Sequence, residues 1–335
     1  MHYLSEQDVA DLNPSWPEIV SVLRQAATTV AKGDFAQPVK PYLRYGDPIN
    51  RIIAMPAFVG GSVDMSGLKW IASFPGNLAH GLPRAHALTI LNEAATGRPL
   101  AVIDSSSLSA IRTAGVSGLM IEEFLRRRGD LGPLRVGMTG FGPIGQRHLQ
   151  MLQGLFPGRL GEVVVCDVNP SRRVNPPAGL TVRFCSDWRE AYQGAQLFLT
   201  CTTSRERYID LPPAPGSLHL NVSLRDYLPS MGRKFTRIVV DEWEEVCREN
   251  TDIQAMHDQT GLREEDVCDL FQVCTADALK GIGPTDSVMF NPMGMAVFDV
   301  AVAALYYRDA VERNVGLPLP RGGSARFTNE REGAR

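Results

Sequence analysis

Leu134-Arg-Val-Gly-Met-Thr-Gly140-Phe-Gly142-Pro143-Ile144-Gly145, followed by Glu162-Val-Val-Val-Cys-Asp167, is the stretch whose reading decides the fold. An apolar run ends in a glycine turn. Leu149, Leu152 and Phe156 then recur at helical spacing, and a second apolar run closes on an acid. The order is strand, turn, helix, strand. In such a unit Gly140 permits the tight turn, Gly142 lets backbone approach a pyrophosphate, and Gly145 lets the helix pack against the strand. Pro143 and Ile144 open the helix, whose free amides and dipole favour an anion. Asp167 stands 22 residues past Gly145 (167 − 145), where a carboxylate accepts hydrogen bonds from an adenosine ribose. These six residues are the candidate contacts to a dinucleotide cofactor.

Downstream, Thr181-Val-Arg-Phe184, a helix near 187–192, Leu197-Phe-Leu-Thr-Cys201, Leu218-His-Leu-Asn-Val222 and Arg237-Ile-Val-Val-Asp241 continue the alternation expected of a doubly wound sheet. Upstream, apolar residues at helical spacing predict a helix over 4–32. Short apolar runs between Gly and Pro then predict a mainly β unit over 38–104. Ser107 is placed to cap a helix running to about Arg127, and Gly129 to Pro133 reads as a linker. Residues 242–290 are charged and irregular. Asn291-Pro-Met-Gly294 reads as a turn opening a long apolar helix, which serves either the core or a dimer contact. The expected fold is α/β: a Rossmann dinucleotide-binding domain over 129–294, and an α+β substrate-binding and dimerisation domain over 1–128 completed by 295–318. The composition of 319–335 predicts a disordered tail.

The composition bounds the partners. A net charge of −3 with no dense Lys/Arg block argues against nucleic acid and anionic membranes. No apolar run approaches the roughly 18–20 residues that span a bilayer, and the N-terminus lacks a leader pattern, so a cytoplasmic protein acting on small molecules is expected. Six cysteines without a CxxC pair read as reduced thiols, and six histidines without ligand spacing suggest no metal site. The chain has no Walker-type GxxxxGK, and Gly115-Val-Ser117-Gly118 falls short of a nucleophile elbow.

Gly67-Leu-Lys69-Trp, Ile111-Arg112-Thr113-Ala114, the Gly140 fingerprint and Ser223-Leu-Arg225-Asp226 together resemble the ornithine cyclodeaminase and mu-crystallin family across roughly residues 1–315. Arg51-Ile-Ile-Ala-Met-Pro56, Ser73-Phe-Pro75, Gly81-Leu-Pro-Arg84-Ala85, Val222-Ser-Leu-Arg-Asp226 and Phe290-Asn-Pro-Met-Gly-Met-Ala296 are similar to its branch of N-(2-amino-2-carboxyethyl)-L-glutamate dehydrogenases, which supply 2,3-diaminopropionate to siderophores and peptide antibiotics. The resemblance implies a homodimer. It also implies NAD as hydride acceptor from the glutamyl α-carbon, with water hydrolysing the imine to 2-oxoglutarate and 2,3-diaminopropionate.

By family position Arg112 grips a carboxylate, Lys69 binds a carboxylate or polarises the reacting nitrogen, and Asp226 takes a proton from water or the substrate amine. Arg44 and Arg84 complete the substrate cations, because a tricarboxylate calls for more positive charge than a simple amino acid. Arg84 is inferred to read the additional carboxylate. Arg225 is expected to pair with Asp226. Thr113, Thr202, Thr203, Ser223, Asn291 and Gly294 fall at expected cofactor edges. One departure is notable: Ala54 stands where ornithine cyclodeaminases carry Glu before Met-Pro, which weakens a cyclisation reading. Asp167 favours NAD over its 2′-phosphorylated form, although Arg172 and Arg173 follow closely. The competing readings are a ketimine reductase, an alanine dehydrogenase or a cyclodeaminase on the same fold, or a mu-crystallin-like binder without catalysis.

Overall fold

The computed structural model describes residues 1–129, 131–169, 172 and 179–320; Arg173 and the expected tail beyond 320 lie outside them. The first part of the chain runs β1 (His2–Leu4), α1 (Glu6–Leu12), α2 (Trp16–Ala31), β2 (Phe35–Ala36), β3 (Tyr42–Leu43), β4 (Arg51–Val59), β5 (Met65–Ser73), β6 (Ala85–Glu93), β7 (Pro99–Asp104) and α3 (Ser106–Arg128). Then come β8 (Leu134–Thr139), α4 (Pro143–Leu155), β9 (Leu160–Cys166), β10 (Thr181–Cys185), α5 (Trp188–Tyr192), β11 (Leu197–Thr200), β12 (Leu218–Asn221) and β13 (Arg237–Val240). The chain closes with α6 (Trp243–Val246), α7 (Asp252–Thr260), β14 (Cys268–Asp269), α8 (Leu270–Thr275), β15 (Val288–Asn291), α9 (Ala296–Arg313) and β16 (Leu317–Pro318).

Two sheets result. The first has the order β16-β1-β7-β6-β5-β4-β2, with β3 also on β4, and its centre is the antiparallel meander β4 to β7. Because side chains alternate along a strand, Met55, Ala57 and Val59 of β4 face inward and are buried. The second sheet has the order β10-β9-β8-β11-β12-β15-β13-β14, and all its pairings are parallel. Val163, Val164 and Val165 are fully buried, as a strand covered on both faces requires.

The structure corrects several boundaries. The helix expected over 4–32 is two, because Asn13 closes α1 in a left-handed conformation (φ 39°) and Pro14 cannot continue the hydrogen-bond ladder. Ser15 restarts it, donating from its backbone N to Glu18 at 2.8 Å. α3 is capped by Ser105, whose hydroxyl accepts from Leu108 N at 3.1 Å; Ser107 lies inside the first turn. The segment 242–290, irregular in pattern, holds three short α-helices, a 3-10 turn at Glu264–Asp266 and two strands, and β15 inserts between β12 and β13. α9 packs on β4, β5 and β6 with Val297, Phe298, Val300, Ala301 and Ala304 fully buried, so its apolar face belongs to the core. Among the described residues no helix is long and apolar enough to cross a membrane.

Candidate active site

The glycine turn follows β8. Gly140 has φ 84°, and a Cβ there would lie 2.3 Å from the Cys201 carbonyl oxygen, so no side chain fits. At Gly145 a Cβ would lie 2.3 Å from the Gly140 carbonyl oxygen. Gly142 differs. A Cβ there would meet only the flexible Arg172 side chain, at 3.5 Å, and no backbone, so movement of that side chain would let a ligand approach the buried glycine. Pro143 begins the 13-residue α4, whose N-terminus points orphan amides at the same space. These features fit a dinucleotide. Asp167 Oδ2 accepts from Phe141 N at 2.5 Å and from Arg172 Nη1 at 3.2 Å, so the carboxylate that ends β9 braces the turn.

Asp226 lies beside this turn. The Cβ position of Gly140 is 2.9 Å from Thr202 N, and Thr202 Oγ1 donates to Asp226 Oδ1 at 2.5 Å. Ser223 Oγ donates to the other carboxylate oxygen. Asp226 is fully buried. Its loop is held by Asp252, which accepts from Asp226 N (2.9 Å), Tyr227 N (3.0 Å), Asn221 Nδ2 (3.0 Å) and Arg207 Nε (2.7 Å). Burial pushes the Asp252 carboxyl above its usual range against these donors. Within the loop Leu224 takes φ 63°, a costly conformation for a branched side chain, and its carbonyl accepts from Asp252 N at 2.7 Å. Asn221 Nδ2 also reaches Asn291 Oδ1 at 2.8 Å, while the buried Asn291 Nδ2 has no hydrogen-bond partner. Thr203 is exposed nearby.

The cations gather on one aspartate that the sequence reading missed. Lys69 Nζ and Arg112 Nε both donate to Asp299 Oδ1 of α9 at 2.8 Å, and Asp299 Oδ2 is buried without a partner. Burial lowers Lys69 to about 7; Asp299 opposes that shift and Arg112 reinforces it. Burial alone would raise Asp299, but Arg112 and Lys69 outweigh it and hold its carboxyl below the usual range. Lys40 Nζ donates to the Gly294 carbonyl at 2.8 Å and pairs with Glu245 at 3.5 Å. Asp241 accepts from Met293 N (2.9 Å) and Gly294 N (2.6 Å). A Cβ on Gly294 would lie 2.8 Å from Arg112 Nη1. The turn that follows Asn291 therefore touches both the cation group and the Asp226 network.

Thr113 Oγ1 donates to Ser109 O at 2.8 Å inside α3. Arg44 is exposed and pairs with Glu249 at 2.5 Å. Arg84 is half-buried, with no side-chain carboxylate within ion-pair distance among the described residues; burial and then Arg51 lower its pKa. The expected Arg225–Asp226 pair does not form: Arg225 donates to the carbonyls of Glu249 (2.8 Å) and Ser223 (3.4 Å), while hydroxyls occupy Asp226. Ala54 pairs with Trp70 on the sheet face opposite Lys69, so its identity bears on that outer surface.

Comparison with known proteins agrees with this layout. A model described as the ornithine cyclodeaminase/mu-crystallin family matches residues 3–314. The N-((2S)-2-amino-2-carboxyethyl)-L-glutamate dehydrogenase of Staphylococcus aureus is 30% identical over 337 residues, covering 95% of this chain and 98% of that protein. The Delta(1)-pyrroline-2-carboxylate reductase of Thermococcus litoralis, solved with NADH and L-proline, shares the fold at a TM-score of 0.84 and 22% identity, covering 95% of this chain and 100% of that one. An archaeal alanine dehydrogenase dimer with bound NAD has a TM-score of 0.81 at 25% identity, covering 96% and 99%. The chain belongs to the ornithine cyclodeaminase/mu-crystallin family.

Proposed function

We propose that this protein is an NAD-dependent dehydrogenase of N-(2-amino-2-carboxyethyl)-L-glutamate, yielding 2,3-diaminopropionate and 2-oxoglutarate for siderophore or peptide antibiotic synthesis. The observation that carries the substrate class is Arg84, a half-buried guanidinium beside Arg51 without a carboxylate of its own, in a protein whose Lys69–Asp299–Arg112 group already supplies cations for one carboxylate. Similarity to the staphylococcal dehydrogenase supports the same reading.

Gly142 and the N-terminus of α4 would hold the pyrophosphate of NAD and Asp167 its ribose, and the bound cofactor would supply the hydride acceptor. Arg112, whose planar guanidinium matches a carboxylate, grips the α-carboxylate. Lys69, with a pKa of about 7, holds or releases a proton at the reacting nitrogen near neutrality. Asp226 takes the proton from the water that attacks the imine carbon, and its Thr202 and Ser223 hydroxyls orient it. A homodimer is part of the proposal. The rows Pro56-Leu68-Ile90-Val102 and Ala54-Trp70-Leu88 make an apolar sheet face on which Trp70 is 39% exposed, and a second copy would cover it.

The test is NADH formation, followed by its near-ultraviolet absorbance, from NAD and the synthetic tricarboxylate, with alanine and ornithine in parallel. Signal with the tricarboxylate alone, accompanied by 2-oxoglutarate, supports the assignment. Signal with alanine alone replaces it by the alanine dehydrogenase reading.

A further inference from the structure

The mouth of the site carries a second group of cations. Arg51 and Lys69 lie on the same face of the first sheet, because Arg51 pairs with Ser73 and Met55 with Lys69 across β4 and β5. Four residues of strand separate these rows, on the order of 13 Å. Arg84 precedes Ala85, which pairs with Ser73 in the Arg51 row. Arg225 approaches from the other sheet, next to Asp226, through its bond to the Glu249 carbonyl.

Among the described residues, one side-chain carboxylate serves this group. Glu249 accepts from Arg44 at 2.5 Å and lies 3.9 Å from Arg51. Asp252, which also faces Arg225, is taken by Arg207 at 2.7 Å. Arg248 turns to Glu245. The Glu249 turn is itself unusual: Glu249 and Asn250 take φ 60° and 56°, two consecutive left-handed residues with no glycine. Asn tolerates that region, whereas Glu does so at a cost. Arg225 and Arg207 hold the turn through the Glu249 and Asn250 carbonyls, each at 2.8 Å.

We propose that Arg51, Arg84 and Arg225 form a second carboxylate seat, and that Glu249 fills its edge in the ligand-free protein as an internal anion which the remote carboxylate of an amino-acid substrate displaces. The seat rests on the reading above for its substrate class, and on the arginine geometry for its existence. Glu249 then acts as a specificity residue: a ligand with no second carboxylate cannot compensate the arginines that Glu249 would leave.

The experiment is calorimetric titration of the full chain, saturated with NAD, with glutarate and separately with acetate. An internal occupant that fills the seat nine-tenths of the time weakens the apparent affinity about ten-fold. Glu249→Gln is therefore expected to bind glutarate about ten-fold tighter with acetate unchanged, and Arg84→Gln to bind glutarate about ten-fold more weakly. Glu249→Asp, which keeps the charge but withdraws it, should move the same way as Glu249→Gln by a smaller factor. Unchanged or weaker glutarate binding in both Glu249 variants overturns the proposal, and so does an equal gain for acetate, which would mark a long-range charge effect. The turnover assay reports separately. Tighter glutarate binding in a protein that oxidises only alanine keeps the seat and removes the tricarboxylate assignment; the reverse pattern keeps the assignment and removes Glu249.

Discussion

Asp299→Asn tests the centre of the site. The substitution keeps the shape but removes the anion shared by Lys69 and Arg112, whose side chains are 3% and 7% exposed against 3% for Asp299. At that burial little solvent screening remains, and removing one partner of a buried pair costs about 3–5 kcal/mol. The cost depends on pH in a stated direction. Lys69 titrates near 7 in the folded protein against an ordinary lysine value of 10.5, so between these values the unfolded chain binds more protons. This group's contribution to stability therefore rises with pH across that window. Asp299 is what holds Lys69 as high as 7; without it the folded value falls further and the window widens on its acidic side. The variant should lose about 3–5 kcal/mol at pH 6, where Arg112 loses its partner and Lys69 is driven to give up the proton it keeps in the wild type, and clearly less at pH 9, where Lys69 is already neutral in both. Urea unfolding of wild type and variant at the two pH values measures this through the midpoints at unchanged slope. An equal loss at both pH values, or a loss below about 1 kcal/mol at pH 6, would refute the view that Asp299 compensates both cations.

Other perturbations separate the parts of the site. Asp226→Asn should bind NAD as wild type by fluorescence titration while turnover falls about 10²- to 10⁴-fold; near-normal turnover would remove Asp226 from the mechanism. Arg84→Thr should raise KM for the tricarboxylate by about 10- to 100-fold, the equivalent of one charge-assisted hydrogen bond, with kcat held. Gly142→Ala should keep wild-type stability and lose NAD affinity, because its Cβ meets no backbone; Gly140→Ala should lose stability, because its Cβ would strike the Cys201 carbonyl. Trp70→Asp on the apolar sheet face should give monomers in sedimentation, and an unaltered sedimentation profile would place the dimer contact elsewhere.

The nucleotide-binding half was legible because parallel strands covered on both faces read as continuous apolar runs, as in Val163 to Val165. β15 escaped because its four residues, Val288–Asn291, run directly into the Asn-Pro turn and were absorbed into it. Lys69 and Arg112 stood out as charges inside apolar runs. Asp299, between Phe298 and Val300, carries the same signal, but a helix read as one apolar face hid it. The segment 242–290 looked irregular because its charges are satisfied by residues far away in sequence: Glu245 accepts from Lys40 N and Glu249 from Arg44, each across 205 positions. Pattern over a window cannot reveal such pairs.

The turn at Met293 and Gly294 explains why so much of the site depends on those distant pairs. Its two amides are held by Asp241 at the end of β13, its carbonyl is taken by Lys40, and Arg112 lies against Gly294, where a side chain would collide at 2.8 Å. Asn291, three residues earlier, is tied through Asn221 and Asp252 to the backbone of Asp226. The proposed substrate cations and the proposed base are thus linked through one short connection between β15 and α9, whose Met293 and Gly294 amides and Gly294 carbonyl are each held by a residue from another element. A change there should move carboxylate binding and proton transfer together, whereas a change at Glu249 or Arg84 should move recognition alone.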